Sequence, residues 1–320
     1  MGRRAPLPRL LPMAGLLGLL GTSPAEAQQV RLSAERAAAV ALGVVGVTSM
    51  PDGTVSDLTI ERSGGESSQL FTWQLGAGFT VSEDFPLYLE GFLGYARYDP
   101  AAIVSNGQQS TRLPLRWNAF SGTGGVGWSF ALNDRLQLRP ILNFSLGYVA
   151  SDVALAGELL NILTGIDIEA LQTRQALTGG LGGALVLAWY DYRPDYEFEV
   201  ELRLSRMRFS TLPANERGLD VTSDSAAAGL WARYRWPTGA EAFGRPTRWV
   251  LEGYHSEFFR AQREVLGIDR LTRLGGGIEL DVGRWELGAV GLYLQRLRLS
   301  GNVLFGEDVR GWSVGIGMSF

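Results

Sequence analysis

Few residues in this chain of 320 could do chemistry, because it contains one histidine, His255, and no cysteine. Ser256 follows His255 directly, so a hydroxyl nucleophile and its only possible imidazole base are neighbours in sequence. Within a strand such neighbours point to opposite faces and cannot exchange a proton. Lack of cysteine removes disulfides, thiolate catalysis and thiolate metal sites together. The sequence also shows no phosphate-cradling glycine loop, zinc spacing or calcium loop. No catalytic residue, metal ligand or cofactor is therefore assigned, and no enzymatic activity is expected.

The charged residues are more informative. Glu197, Glu199, Glu201 and Arg203 alternate with Phe198, Val200, Leu202 and Leu204, and Arg233 and Arg235 alternate in the same way with Ala232, Tyr234 and Trp236. Arg139 occupies the polar face of a third such ribbon. If these faces share an enclosed interior, the charges are either a selectivity lining or cross-strand ion pairs, and neutralisation between neighbouring strands favours the second. Acids at every second position form a ladder and not the facing pair of a glycosidase-like hydrolase.

The elements that must position these residues have a period of two. The chain ends on Gly311 to Phe320, in which Trp312, Val314, Ile316, Met318 and Phe320 share one parity and glycines and serines the other. Similar ribbons are predicted at Thr54 to Arg62, Phe71 to Val81, Leu87 to Tyr98, Leu115 to Phe130, Leu136 to Tyr148 and Thr173 to Tyr190. Further ones cover Tyr196 to Phe209, Leu230 to Trp236, Thr247 to Gln262, Arg270 to Val282 and Arg284 to Leu299. Pro140 asks for a bulge or a strained pairing, and the change of phase after Ser205 asks for another bulge. The facing of the Thr247 ribbon stays open. Twelve ribbons joined by alternately short and long connections predict an all-β fold, a closed antiparallel transmembrane barrel. Eight of the nine tryptophans fall near predicted strand ends, as aromatic girdles require, and Trp231 falls mid-strand and inward.

The N-terminus has Arg3, Arg4 and Arg9, an apolar run from Leu10 to Leu20 and an Ala25-Glu26-Ala27 cleavage pattern. Residues 1–27 are therefore read as a cleaved secretory signal. Residues 28–52 form a segment whose Leu32 to Val47 stretch predicts a short helix, and 53–320 the barrel. The formal charge of -4 becomes about -6 once the three Arg and one Glu of the signal are removed, which argues against nucleic-acid binding. All basic residues are arginine, and no mechanism attaches to that.

The final strand, ending on Phe320, resembles the C-terminal targeting strand of bacterial outer-membrane β-barrels. A twelve-stranded barrel preceded by a short helix is similar to the translocator domain of autotransporters, and with so little chain before the first strand it most resembles solitary autotransporter barrel domains that lack a passenger. The resemblance implies an outer-membrane location, contact with outer-membrane lipid, and the barrel-assembly machinery as a partner of Trp312 to Phe320. It also implies a helix that occupies the pore. The Ala-rich segment has little polarity for a wetted lumen, which leaves two places open for it, plugging the pore or lying at the periplasmic mouth. The preferred function is a structural or passive-pore surface protein. A channel or transporter for a small solute, using Arg139, Glu197, Glu199, Glu201, Arg203, Arg233 and Arg235, is the alternative, and a barrel-embedded hydrolase of the outer-membrane phospholipase kind is the weakest.

Overall fold

A computed structural model describes residues 42–46, 54–61, 67–99, 103–105, 110–112, 116–152, 175–212, 222–260, 263, 267–285, 288–289 and 292–319. The predicted signal and most of the 28–52 segment lie outside these described residues.

The wall is made of β1 (Thr54–Glu61), β2 (Ser67–Thr80), β3 (Leu87–Asp99), β4 (Trp117–Trp128), β5 (Leu136–Ser151) and β6 (Gln175–Tyr192). It continues with β7 (Glu197–Thr211), β8 (Thr222–Ala242), β9 (Arg245–Arg260), β10 (Arg270–Asp281), β11 (Arg296–Phe305) and β12 (Val309–Ser319). Each strand pairs antiparallel with its sequence neighbours, and β1 pairs with β12 from Thr54↔Gly315 to Ile60↔Val309, so the ring closes at twelve strands. An even number places the start of β1 and the end of β12 at one end of the barrel. That end carries two tight turns, Arg193 to Tyr196 between β6 and β7 and Phe243-Gly244 between β8 and β9; the expected alternation breaks at the last hairpins, where the 282–295 connection at this end is long and the 306–308 turn between β11 and β12 at the other end is short. Phe243 and Gly244 both have positive φ (53° and 68°), the two-residue hairpin geometry that matches strand twist.

Alternation gives the wall two chemistries. Outward side chains such as Leu93, Leu142, Leu146, Leu181, Leu251 and Leu299 are exposed, each by 48–63%. Those on the other parity are polar, small or buried. A soluble protein does not turn its leucines outward around its whole circumference, whereas a membrane-spanning barrel does. Among the described residues no helix is long and apolar enough to cross a membrane, which says nothing about a barrel.

Four expectations are corrected. No bulge follows Ser205, because β7 keeps one register against β6 from Glu197↔Tyr192 to Thr211↔Thr178. Met207 and Phe209 therefore point inward and are buried, while Arg206 and Arg208 lie on the outward face at the end of the strand with the long connection. There the outer surface turns polar, and Arg206 lies 3.9 Å from Asp224. Pro140 makes no bulge either. It pairs with Leu185 in an unbroken ladder on one side, and on the other the β4–β5 ladder stops after Gly127↔Ile141 and resumes at Phe130↔Leu138 in the same register. A missing N–H interrupts a ladder without shifting it. The eleventh strand is Arg296–Phe305 and not Arg284–Leu299. Residues 283–285 form a 3₁₀ turn and 288–289 pair with 292–293 in a separate small hairpin. Finally, Trp117 is buried on the inward parity beside Tyr98, so it does not belong to an outer aromatic belt.

Residues 42–46 are helical and wholly buried. A Cβ built on Gly147, an inward residue of β5, would lie 3.0 Å from Val45 Cγ1. The described part of the helix thus sits within the lumen, the first of its two open placements. The physical reason is that the lumen at this level is not wetted: Val149 and Phe209 on the inner wall are both 1% exposed. An apolar helix is suited to an apolar bore.

Candidate functional site

Inward parity brings the seven sequence-predicted charges into one lumen but sorts them into three groups. At the end with the short turns, Glu197 and Arg235 are direct cross-strand partners on β7 and β8, as are Glu199 and Arg233. Their closest approaches are 3.1 and 3.6 Å. These are the neighbouring-strand pairs that the alternation predicts. The Arg235 guanidinium also bonds Glu199 and lies 3.3 Å from Glu279 on β10. Glu197 collects Arg248 from β9 and both guanidinium nitrogens of Arg296 from β11, the latter at 2.5 and 2.9 Å. β7 and β11 stand four positions apart round the ring, so this contact spans the lumen and is not a wall contact.

A second crossing lies on the other side. Arg203 of β7 donates two hydrogen bonds, 2.9 and 2.7 Å, to the carboxylate of Glu90 on β3, again four positions away. Asn143 of β5 donates a third at 2.6 Å. The Glu90 side chain is 0% exposed, so its charge is tolerable only because three donors meet it. The neighbouring Glu201 accepts from the Tyr190 hydroxyl at 2.7 Å. Among the described residues Arg139 makes no ion pair with a carboxylate: it lies 4.2 Å over the Tyr88 ring and donates to Ser129 Oγ at 3.1 Å. Beneath it Tyr88, Ile141, Ala184, Val186 and Ala188 pack as a buried apolar layer.

Glu90, Asn143, Arg248, Glu252, Arg273, Glu279, Arg296 and Arg298 complete the polar lumen and were not singled out by sequence. Glu90 carried a signal, being the one acid within the predicted Leu87 to Tyr98 ribbon. Arg296 and Arg298 lay within the predicted eleventh ribbon, alternating with Leu297 and Leu299, but were not assigned to the lumen.

The predicted separation of His255 and Ser256 holds. His255 faces outward, with Nδ1 2.9 Å from Thr272 Oγ1 and Nε2 3.2 Å from Glu257 Oε1, while Ser256 points inward and is fully buried. Among the described residues no group of three or more His, Asp or Glu could hold a metal ion. On β12, Trp312, Val314, Ile316 and Met318 lie on the outward face, exposed by 39–56%. Phe320 lies outside the described residues.

No family model matches the chain, and no curated protein matches it. Among solved structures, the β domain of the Bordetella autotransporter BrkA aligns at 16% identity over 84% of this chain and 99% of that domain, with a TM-score of 0.44. The translocator domain of autotransporter NalP from Neisseria meningitidis aligns at 13% identity over 92% and 98%, with a TM-score of 0.42. The NanC porin aligns at 9% identity over 83% and 100%, with a TM-score of 0.36. The architecture itself rests on the chain's own strand pairing: it is a closed, twelve-stranded barrel of the outer-membrane type.

Proposed function

We propose that the chain is an outer-membrane barrel of the autotransporter-translocator kind whose lumen is held shut and which serves as a structural or surface protein. The observation that carries this reading is the occupied bore: residues 42–46 are buried against Gly147 at one level. At others, Arg203–Glu90 and Arg296–Glu197 cross the lumen. In this reading the end with the Arg193 to Tyr196 and Phe243-Gly244 turns faces the periplasm, the opposite end faces outward, and the assembly machinery engages β12 through Trp312 to Phe320. The protein should fractionate with outer membranes and show heat-dependent mobility on a denaturing gel; recovery as a soluble periplasmic protein would overturn the location. In planar bilayers the mature chain should give no steady conductance, and the same chain lacking residues 28–52 should leak. A large ohmic pore in the intact chain would overturn the closed lumen. A transporter for a small solute is the second reading, favoured by a luminal cavity bordered by Arg233, Arg273 and Arg298.

A further inference from the structure

Between the inner faces of β2 and β8 to β12 lies a cavity of about 210 Å³. Arg233, Arg273, Arg298, Glu252 and Ser300 supply its polar lining and Trp231 its aromatic wall. Among the described lining residues Glu252 is the one carboxylate, and its contact with Arg298 is loose, with Arg298 Nε 3.7 Å from Glu252 Oε2; the unmet donors are those of Arg233 and Arg298, and Arg273 adds a third positive charge to the lining. Arg233 comes no closer than 3.6 Å to Glu199. That carboxylate is already bonded by Arg235 and by the Tyr192 hydroxyl. The Nε–H groups of Arg233 and Arg298 are buried without a hydrogen-bond partner. This differs from the opposite side of the lumen, where the Glu90 carboxylate is met by three donors.

The cavity is also shaped for guanidiniums. Arg233 lies flat over Trp231, 4.1 Å from the ring centroid. Gly317 leaves space for Arg298, since a Cβ there would stand 2.5 Å from Nη2. Converging like charges in a confined space repel unless an anion joins them, and planar guanidiniums match the oxygens of carboxylate or phosphate. At roughly 30 Å³ of liquid volume per water, the cavity has the room of about seven waters, or of a small organic anion.

We propose that this cavity binds a small oxyanion, the carboxylate or phosphate of a low-molecular-weight solute, held by Arg233, Arg273 and Arg298. Glu252 opposes the bound charge and limits affinity. The site concerns occupancy and stands whether or not the barrel conducts.

The test is isothermal titration calorimetry of the folded mature chain in detergent at low ionic strength, with inorganic phosphate and succinate as probes. At least one probe should bind saturably at one site per barrel. Binding should weaken roughly tenfold or more in Arg233→Gln and in Arg298→Gln, since each removes a charged donor, and should be unchanged in Arg206→Gln on the outer face. Glu252→Gln should tighten binding several-fold, a gain that misfolding does not produce. Preference for phosphate or for succinate assigns the headgroup chemistry. Absence of saturable binding of either probe to the folded chain, or equal affinity in the intact chain, Arg298→Gln and Glu252→Gln, would overturn the proposal.

Discussion

Replacing Arg203 by Met should cost the barrel far more than the loss of a surface charge. The guanidinium supplies two of the hydrogen bonds to Glu90, whose side chain has no exposure to solvent. Truncation leaves that carboxylate with only the neutral donors Asn143 and Tyr88. Breaking one partner out of a buried ion pair costs about 3–5 kcal/mol, because the remaining charge is left uncompensated. The double variant Arg203→Met, Glu90→Gln removes both charges, leaves the Asn143 amide a neutral acceptor, and should recover most of the loss. The assay is urea unfolding in lipid vesicles, followed by tryptophan fluorescence, on the intact chain, both single variants and the double variant. A strongly positive coupling in this cycle is predicted. If Arg203→Met cost less than about 1 kcal/mol, the value of a solvent-exposed pair, the lumen would be wet at this level and the reasoning from burial would be refuted.

Other outcomes follow from the same geometry. Val314→Arg places a charge on the outward face of β12 and should cost about 2–4 kcal/mol if that position lies near the bilayer midplane, measurable in the same unfolding assay. Removal of Phe320 should lower the yield of heat-modifiable barrel without changing synthesis. Gly182→Ala brings a Cβ to 2.1 Å from the Arg206 carbonyl oxygen and 2.6 Å from Met207 Cα. It should force β6 from β7 at a cost of about 1–3 kcal/mol, seen as a lower urea midpoint. His255→Ala, on the exposed outer face, should change stability by no more than about 0.5 kcal/mol and leave any lipid turnover by the preparation unaltered.

Parity was the part of this fold that sequence could show. Because side chains alternate, Glu197 to Arg203 and Arg233 to Arg235 could be placed on one face without knowledge of their partners. Closure of β1 against β12 followed from counting strands. Misreadings arose where polarity and facing part company. Arg206 and Arg208 look like lumen residues because they are charged, yet they lie where the outer surface meets polar surroundings, and the apparent phase shift was theirs. The stretch from Trp285 to Tyr293 is apolar enough to mimic a strand, which displaced the start of β11 from Arg296 to Arg284. Partners that meet across the bore are set by ring closure and strand stagger. Glu90 and Arg203, separated by 113 positions, could not be paired from either segment alone. The helix could not be placed for a related reason, since the apolar inner level formed by Val149 and Phe209 appears only once β5 and β7 face the same lumen.

The lack of native cysteine makes the occupied lumen directly testable. With Val45→Cys and Gly147→Cys introduced together, mild oxidation of intact outer membranes should form an intramolecular disulfide, because Val45 Cγ1 lies 3.0 Å from the position of a Cβ at residue 147. Moving the second cysteine to the outward position, as in Val45→Cys with Leu146→Cys, should abolish it. Efficient cross-linking of the first pair alone is expected for a helix inside the bore. Failure of that pair to cross-link in a folded barrel, or equal cross-linking of both pairs, would contradict the placement of the helix inside the bore.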